Sequence, residues 1–168
     1  MEMKLRLAAL SDICGIMEII KEIVPLMNAS GNLQWNAGYP NTVAFKKDVA
    51  NSHLWIAEYD GKMAGVAAIT DILTPEYAQA GLDINESIIV IHRLAVAPAF
   101  RGLRVAESLL AKSEKIAAER GVKQVWIDTN RENRAARNLF MKMGYFYAGD
   151  IIYATKPGLV FSCYYRRN

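Results

Sequence analysis

The stretch Val96-Ala-Pro-Ala-Phe-Arg-Gly-Leu-Arg-Val-Ala106 runs an apolar strand through an Arg-Gly turn into a helix. A junction of this kind leaves the first N–H groups of the helix without acceptors and aims them at one point. The helix dipole adds partial positive charge there, and Arg101 and Arg104 bracket the turn with full charges. The turn is read as an anion site, suited to phosphate.

Around it the chain alternates short apolar runs with amphipathic ones. Upstream, Ser87–Val96 is a nearly continuous apolar strand, the pattern of a strand buried on both faces. Downstream, Val105, Ala106, Leu109, Leu110, Ser113, Ile116 and Ala117 form one helical stripe that ends at Gly121. Gln124–Asp128 predicts a strand and Asn133–Met143 a helix closed by Gly144. Phe146–Tyr153 and Leu159–Arg166 predict two final strands around Lys156-Pro157-Gly158.

Towards the N-terminus, Met3–Leu7 predicts a strand. Ser11-Asp12 then caps a helix carrying Ile13, Ile16, Met17, Ile20 and Val24, with Pro25 near its end. Asn28–Asn41 reads as a loop with large apolar anchors, and Thr42 as the cap of a helix over 43–50. Leu54–Tyr59 and Met63–Thr70 form a hairpin about Asp60-Gly61, and Asp71–Glu86 is mostly loop. The expected fold is an α/β, mixed α+β architecture. It has a mostly antiparallel sheet of about seven strands with four helices flanking both faces, in a single domain over residues 1–168.

Composition excludes several classes. Hydrophobic residues are 52% and charged residues 22% of the 168, which suits a globular protein rather than a disordered one. A net charge of +3 without a basic stripe argues against nucleic acid as a partner. The apolar runs are too short for a membrane span, and the N-terminus lacks the apolar core of a signal peptide. Cys14 and Cys163 lack metal-ligand spacing, so neither a metal nor a disulfide framework is expected. The default compartment is the cytoplasm. Arg131, Arg134 and Arg137 either solvate a helix face or add positive potential near a phosphate ligand.

These motifs resemble those of the GNAT superfamily of N-acetyltransferases. The family's pyrophosphate loop, Gln/Arg-x-x-Gly-x-Gly/Ala, is matched by Arg101-Gly-Leu-Arg-Val-Ala106. The strand text Leu94-Ala-Val-Ala-Pro98 and the segment Asn133-Arg-Ala-Ala-Arg-Asn-Leu-Phe-Met-Lys-Met-Gly-Tyr145 also match, and the element order fits the whole chain. The resemblance implies acetyl transfer from acetyl-coenzyme A to a primary amine of a small molecule or peptide by direct attack. The alternative is a coenzyme A-binding sensor or catalytically weak relative.

The resemblance implies that backbone amides of Gly102, Leu103, Arg104, Val105 and Ala106 cradle the pyrophosphate beside Arg101. It also implies that the backbone at Leu94 and Val96 pairs with the pantetheine arm, that the Leu94 N–H polarises the thioester carbonyl, and that Asn133 contacts the coenzyme, as do Arg137 and Phe140 on the same helix. A homodimer paired through the last strands is the family habit. Two positions depart from the pattern. Arg104 replaces the loop glycine, so a phosphate contact by its side chain expects a negative φ there. Phe140 replaces a tyrosine that protonates the leaving thiolate. Tyr145, Tyr147, Tyr153, Tyr164 and Cys163 are the substitutes within the chain.

An amine acceptor must lose a proton before it attacks, which calls for a base. His92 is the expected base, on the face that period-two alternation shares among Val90, Leu94 and Val96. Glu86 and Asp128 are secondary candidates at strand ends. The acceptor pocket is expected from the loops Asn28–Asn41, with Trp35 and Tyr39, and Asp71–Glu86, whose acidic residues favour a cationic amine.

Overall fold

The computed structural model describes residues 1–168 as one seven-stranded sheet in the order β1-β2-β3-β4-β5-β7-β6. The strands are β1 (Met3–Leu7), β2 (Leu54–Tyr59), β3 (Lys62–Thr70), β4 (Ile88–Val96), β5 (Gln124–Asn130), β6 (Phe146–Ile151) and β7 (Phe161–Arg167). Only β4 and β5 run parallel; the other neighbours are antiparallel. Helices α1 (Ile13–Ala29), α2 (Thr42–Ala50), α3 (Val105–Glu119) and α4 (Arg134–Lys142) complete the expected mixed architecture.

The helices divide between the two faces. Ile16, Ile20 and Ile23 of α1 and Phe45 of α2 pack with Ile56, Val66 and Ala95. On the other face, Val105, Leu109, Leu110 and Ile116 of α3 and Phe140 of α4 pack with Ile89, Ile91, Val125 and Ile127. A third cluster joins Tyr77 and Leu82 to Ile88, Val90, Trp126 and Phe161. Tyr77 comes from a 3-10 segment, Pro75–Ala80, inside what the sequence reads as a loop.

Boundaries move by a residue or two for local reasons. The N-cap of α2 is Asn41, whose side chain accepts the Ala44 N–H, rather than Thr42. Gly65 marks where α3 meets the sheet. A Cβ there would lie 2.7 Å from Val105 Cγ1 and 2.8 Å from the Ala95 carbonyl, so the missing side chain lets the start of α3 close onto β3 and β4.

Candidate active site

The site begins where the sheet comes apart. Strands β4 and β5 pair only from Ile88–Ile91 to Gln124–Ile127; beyond that, β5 stays with β7 while β4 stays with β3. A cleft of about 800 Å³ opens between them. Its mouth is sharpened by a bulge: Val66 and Ala68 of β3 pair with Ala95 and His92, so β4 carries one residue more than its partner. The bulge centres on Arg93, which has φ +51°. Its guanidinium is clamped by Asp48 of α2, with Nε–Oδ2 and Nη2–Oδ1 both 2.7 Å, and Nη1 donates to the Tyr39 hydroxyl at 3.1 Å. A bidentate buried carboxylate of this kind holds the guanidinium in one orientation and offsets the cost of a left-handed non-glycine residue.

The extra residue reverses the alternation along β4. Ile89 and Ile91 face α3, and so do Leu94 and Val96, whereas Ile88 and Val90 face the Tyr77 cluster. The expectation that His92 shares a face with Leu94 and Val96 is therefore corrected. His92 keeps the side of Val90, and its Nε2 lies 3.4 Å from Thr74 Oγ1. It lines the cleft and also a second cavity of about 330 Å³ that includes His53 and Asp48. Burial, then Arg93 and Lys156, push its pKa down to about 4.

One end of the cleft is made of backbone. Ala97 donates to the Ala64 carbonyl, so by alternation Ala95 and Ala97 point their N–H groups at β3 while Leu94 and Val96 turn theirs into the cleft. Around the turn, the N–H groups of Gly102, Arg104, Val105, Ala106 and Glu107 find no protein acceptor. Gly102 has φ +79° and Arg104, the N-cap of α3, has φ +64° and ψ 27°. The condition set for a phosphate contact by the Arg104 side chain, a negative φ, is not met: the residue adopts the left-handed conformation that glycine takes without cost. Its side chain is largely exposed and ion-pairs with Glu107, which also meets Lys142.

Asn133 and Phe140 line this end as well. The Asn133 side chain caps α4, accepting the Ala136 N–H and donating to Thr129 Oγ1. Phe140 is buried against Tyr145 and Tyr164. Arg137 is not in the cleft wall; it donates to the Tyr164 hydroxyl and the Arg131 carbonyl, on another side of α4.

The other end is made of side chains. Trp35, Tyr39, His92, Arg93, Asp128, Tyr153 and Lys156 line it. Asp128 follows Trp126 onto the Tyr77 face. Its Oδ1 accepts from the Tyr77 hydroxyl at 2.6 Å and its Oδ2 from the Tyr153 hydroxyl at 3.1 Å. Burial raises the Asp128 pKa, against the pull of the two tyrosine hydrogen bonds and of Lys156. The Lys156 ammonium sits 5.0 Å from the Tyr39 ring centre, 5.2 Å from Phe161 and 5.6 Å from Tyr153. Burial lowers its pKa, Asp128 raises it and Arg93 lowers it.

Several expected residues lie elsewhere. Glu86 is exposed at the far end of β4, bonded by Gln124, about 20 Å of strand from His92. No residue of the Asp71–Glu86 loop walls the main cleft, so its acidic side chains give no preference for a cationic amine. Its contribution is indirect, through Tyr77. The wall expected from that loop comes instead from the segment between β6 and β7: Tyr153, which the sequence places at a strand end and among the possible thiolate acids, and Lys156, which it places in a turn. Of the possible thiolate acids, Tyr153 alone lines the cleft.

The chain resembles known proteins in both sequence and fold. The Acetyltransferase (GNAT) family profile matches residues 20–145. The "Probable N-acetyltransferase camello" of Xenopus tropicalis is 30% identical over 95 residues. Those residues are 56% of this chain and 39% of that protein, so the chain spans well under half of that relative. A GNAT-family acetyltransferase structure from Streptococcus agalactiae superposes with a TM-score of 0.85 at 27% identity, covering 99% of this chain and 95% of that one. The yncA structure from Salmonella typhimurium, solved with its cofactor acetyl-CoA, shares the fold with a TM-score of 0.71 at 16% identity, covering 99% and 94%.

Proposed function

The chain belongs to the acetyltransferase (GNAT) family, and from that premise we propose that it moves an acetyl group from acetyl-coenzyme A to a primary amine. One observation supports this reading most. The free amides of Gly102 and Arg104–Glu107 stand at the same cleft as the outward-turned N–H groups of Leu94 and Val96. The first set suits a pyrophosphate, and the second suits the amides of a pantetheine arm and the oxygen of a thioester.

The reaction is read as direct attack. The neutral amine adds to the thioester carbonyl, the Leu94 N–H stabilises the charge that builds on oxygen, and the C–S bond then breaks to give amide and thiolate. A thiolate with a parent pKa of about 8.5 leaves without strong acid assistance, so Phe140 is no obstacle. Arg101 adds charge beside the pyrophosphate. Arg104 serves through its backbone conformation, and Asn133 by fixing the start of α4 beside the coenzyme. Trp35 and Tyr39 are assigned to the acceptor.

The proton from nitrogen goes to Asp128 in this scheme. His92 was the expected base, but a pKa near 4 gives it little drive to take a proton. Asp128 is assigned the proton on geometry: it lines the acceptor end of the cleft, two tyrosine hydroxyls hold it in place, and burial raises its affinity for a proton. His92 is left as a neutral neighbour that lines both cavities.

The test is coenzyme A release from acetyl-coenzyme A with a panel of amino acids, polyamines, aminoglycosides and peptides, alongside calorimetric titration of acetyl-coenzyme A. Turnover with at least one amine is expected. Tight binding with no turnover on any amine would replace this reading with a coenzyme-binding sensor.

A further inference from the structure

The charged groups at the acceptor end do not balance in the usual way. Arg93 is neutralised by the bidentate Asp48. Arg104, Glu107 and Lys142, at the opposite end, satisfy one another. Two groups remain. Asp128 carries two tyrosine hydrogen bonds but has no cation within ion-pairing distance, and Lys156 has no carboxylate within that distance. Both line the same end of the cleft, near enough for each charge to perturb the other.

A half-buried ammonium held among the rings of Tyr39, Tyr153 and Phe161 is not an idle surface lysine. The rings fix its position and exclude water from part of its shell, and the remaining face opens on the cleft. A half-buried carboxylate held by two hydroxyls likewise keeps lone pairs for a visiting donor. The pair is a separated plus and minus, and its complement is a zwitterion with an ammonium and a carboxylate a few ångströms apart. Around it the walls are apolar, with Leu26, Met27 and Trp35 facing the same space.

Resting on the acetyltransferase reading above, we infer that the acceptor is a free α-amino acid with an apolar side chain. Its amine is received by Asp128 and its carboxylate by Lys156. Asp128 draws the ammonium in; its first proton leaves to solvent to give the neutral amine, Asp128 takes the second as the C–N bond forms, and Lys156 fixes the carboxylate, which sets the nitrogen's approach. A peptide amine lacks the adjacent carboxylate, and a polyamine would bring a second cation to Lys156. Both are selected against by the same lysine.

The test uses matched acceptors: leucine and phenylalanine, their amides, and the amines left by removing the carboxylate. The measurement is kcat/KM by coenzyme A release. The acids are expected to exceed the amides and the decarboxylated amines by about 10- to 100-fold, the range of one charge-assisted hydrogen bond. Lys156→Met is expected to bring that ratio close to one, chiefly through KM, and Lys156→Arg to retain it; Lys156→Gln repeats the test should the methionine variant not fold. Decarboxylated amines, polyamines or peptides turning over as well as the acids would overturn the inference and leave the acetyltransferase reading standing, as would a preference that survives Lys156→Met. Acetyl-coenzyme A binding with no turnover on any amine removes both readings together.

Discussion

The two ends of the cleft are built from different material. The end towards α3 is made of main chain: amides of Gly102 and Arg104–Glu107, and the outward N–H groups of Leu94 and Val96. The end towards the Tyr77 face is made of side chains drawn from four distant segments, with Tyr39, Arg93, Asp128 and Lys156 as its polar members. A backbone site tolerates exchange of side chains so long as the dihedral angles persist. A side-chain site depends on each group and on what holds it. The first suits a ligand part that never varies, and the second a part that distinguishes one substrate from another.

The sharpest way to break that contrast is Asp128→Asn. The amide keeps the size but cannot take a proton, so kcat should fall about 10²- to 10⁴-fold with little change in the acetyl-coenzyme A Kd. Steady-state kinetics and calorimetry read the two numbers, and a variant with near-normal kcat would remove Asp128 from proton transfer.

Next in size is the pH dependence of stability set by His92. Its folded pKa is about 4 against about 6.5 in the unfolded chain, so between those values the unfolded state holds a proton that the native state lacks. Stability should therefore decline as pH falls from 6.5 to 4, by up to roughly 3 kcal/mol from this group. Asp128, with its raised pKa, acts in the opposite sense, so the difference between wild type and His92→Gln isolates the histidine. Urea titrations across that range should give a shallower decline for the variant. Parallel curves would mean that the imidazole is not held neutral.

The smallest effect belongs to the main-chain end. Arg104→Gly relieves the left-handed conformation of Arg104 and should raise Tm by roughly 2–4 °C. The acetyl-coenzyme A Kd should stay within about threefold, the scale of one exposed charge. A larger loss of affinity would show that the Arg104 side chain, and not only its backbone, reads the ligand.

This division explains what could be read in advance. Seven strands, four helices and the loop at Arg101–Ala106 follow from periodicity and a local motif, because main-chain sites are written in contiguous residues. Trp35 and Tyr39, from the loop the sequence marks by its apolar anchors, and Leu94, singled out by the family resemblance, all line the cleft. Arg93 could not be read in this way, since nothing in Ile91-His92-Arg93-Leu94 announces a left-handed residue, and the bulge reversed the alternation used to place His92. Lys156 sits in a Lys-Pro-Gly turn that signals a bend and nothing more. It meets the cleft only because β7 inserts between β5 and β6, a matter of strand order. Glu86 and Arg137 failed for the converse reason: sequence distance says which element a residue is on, not which end or side faces the ligand.

The clamp on Arg93 gives one more consequence. Asp48 lies on α2, a helix that contributes no wall to the main cleft, yet it fixes the bulge that decides which way β4 shows its N–H groups. The shape of the cleft is thus governed from outside it, as a lock's wards are set by a pin the key never meets. A change on α2 can retune the mouth of the cleft while leaving every residue that meets substrate untouched.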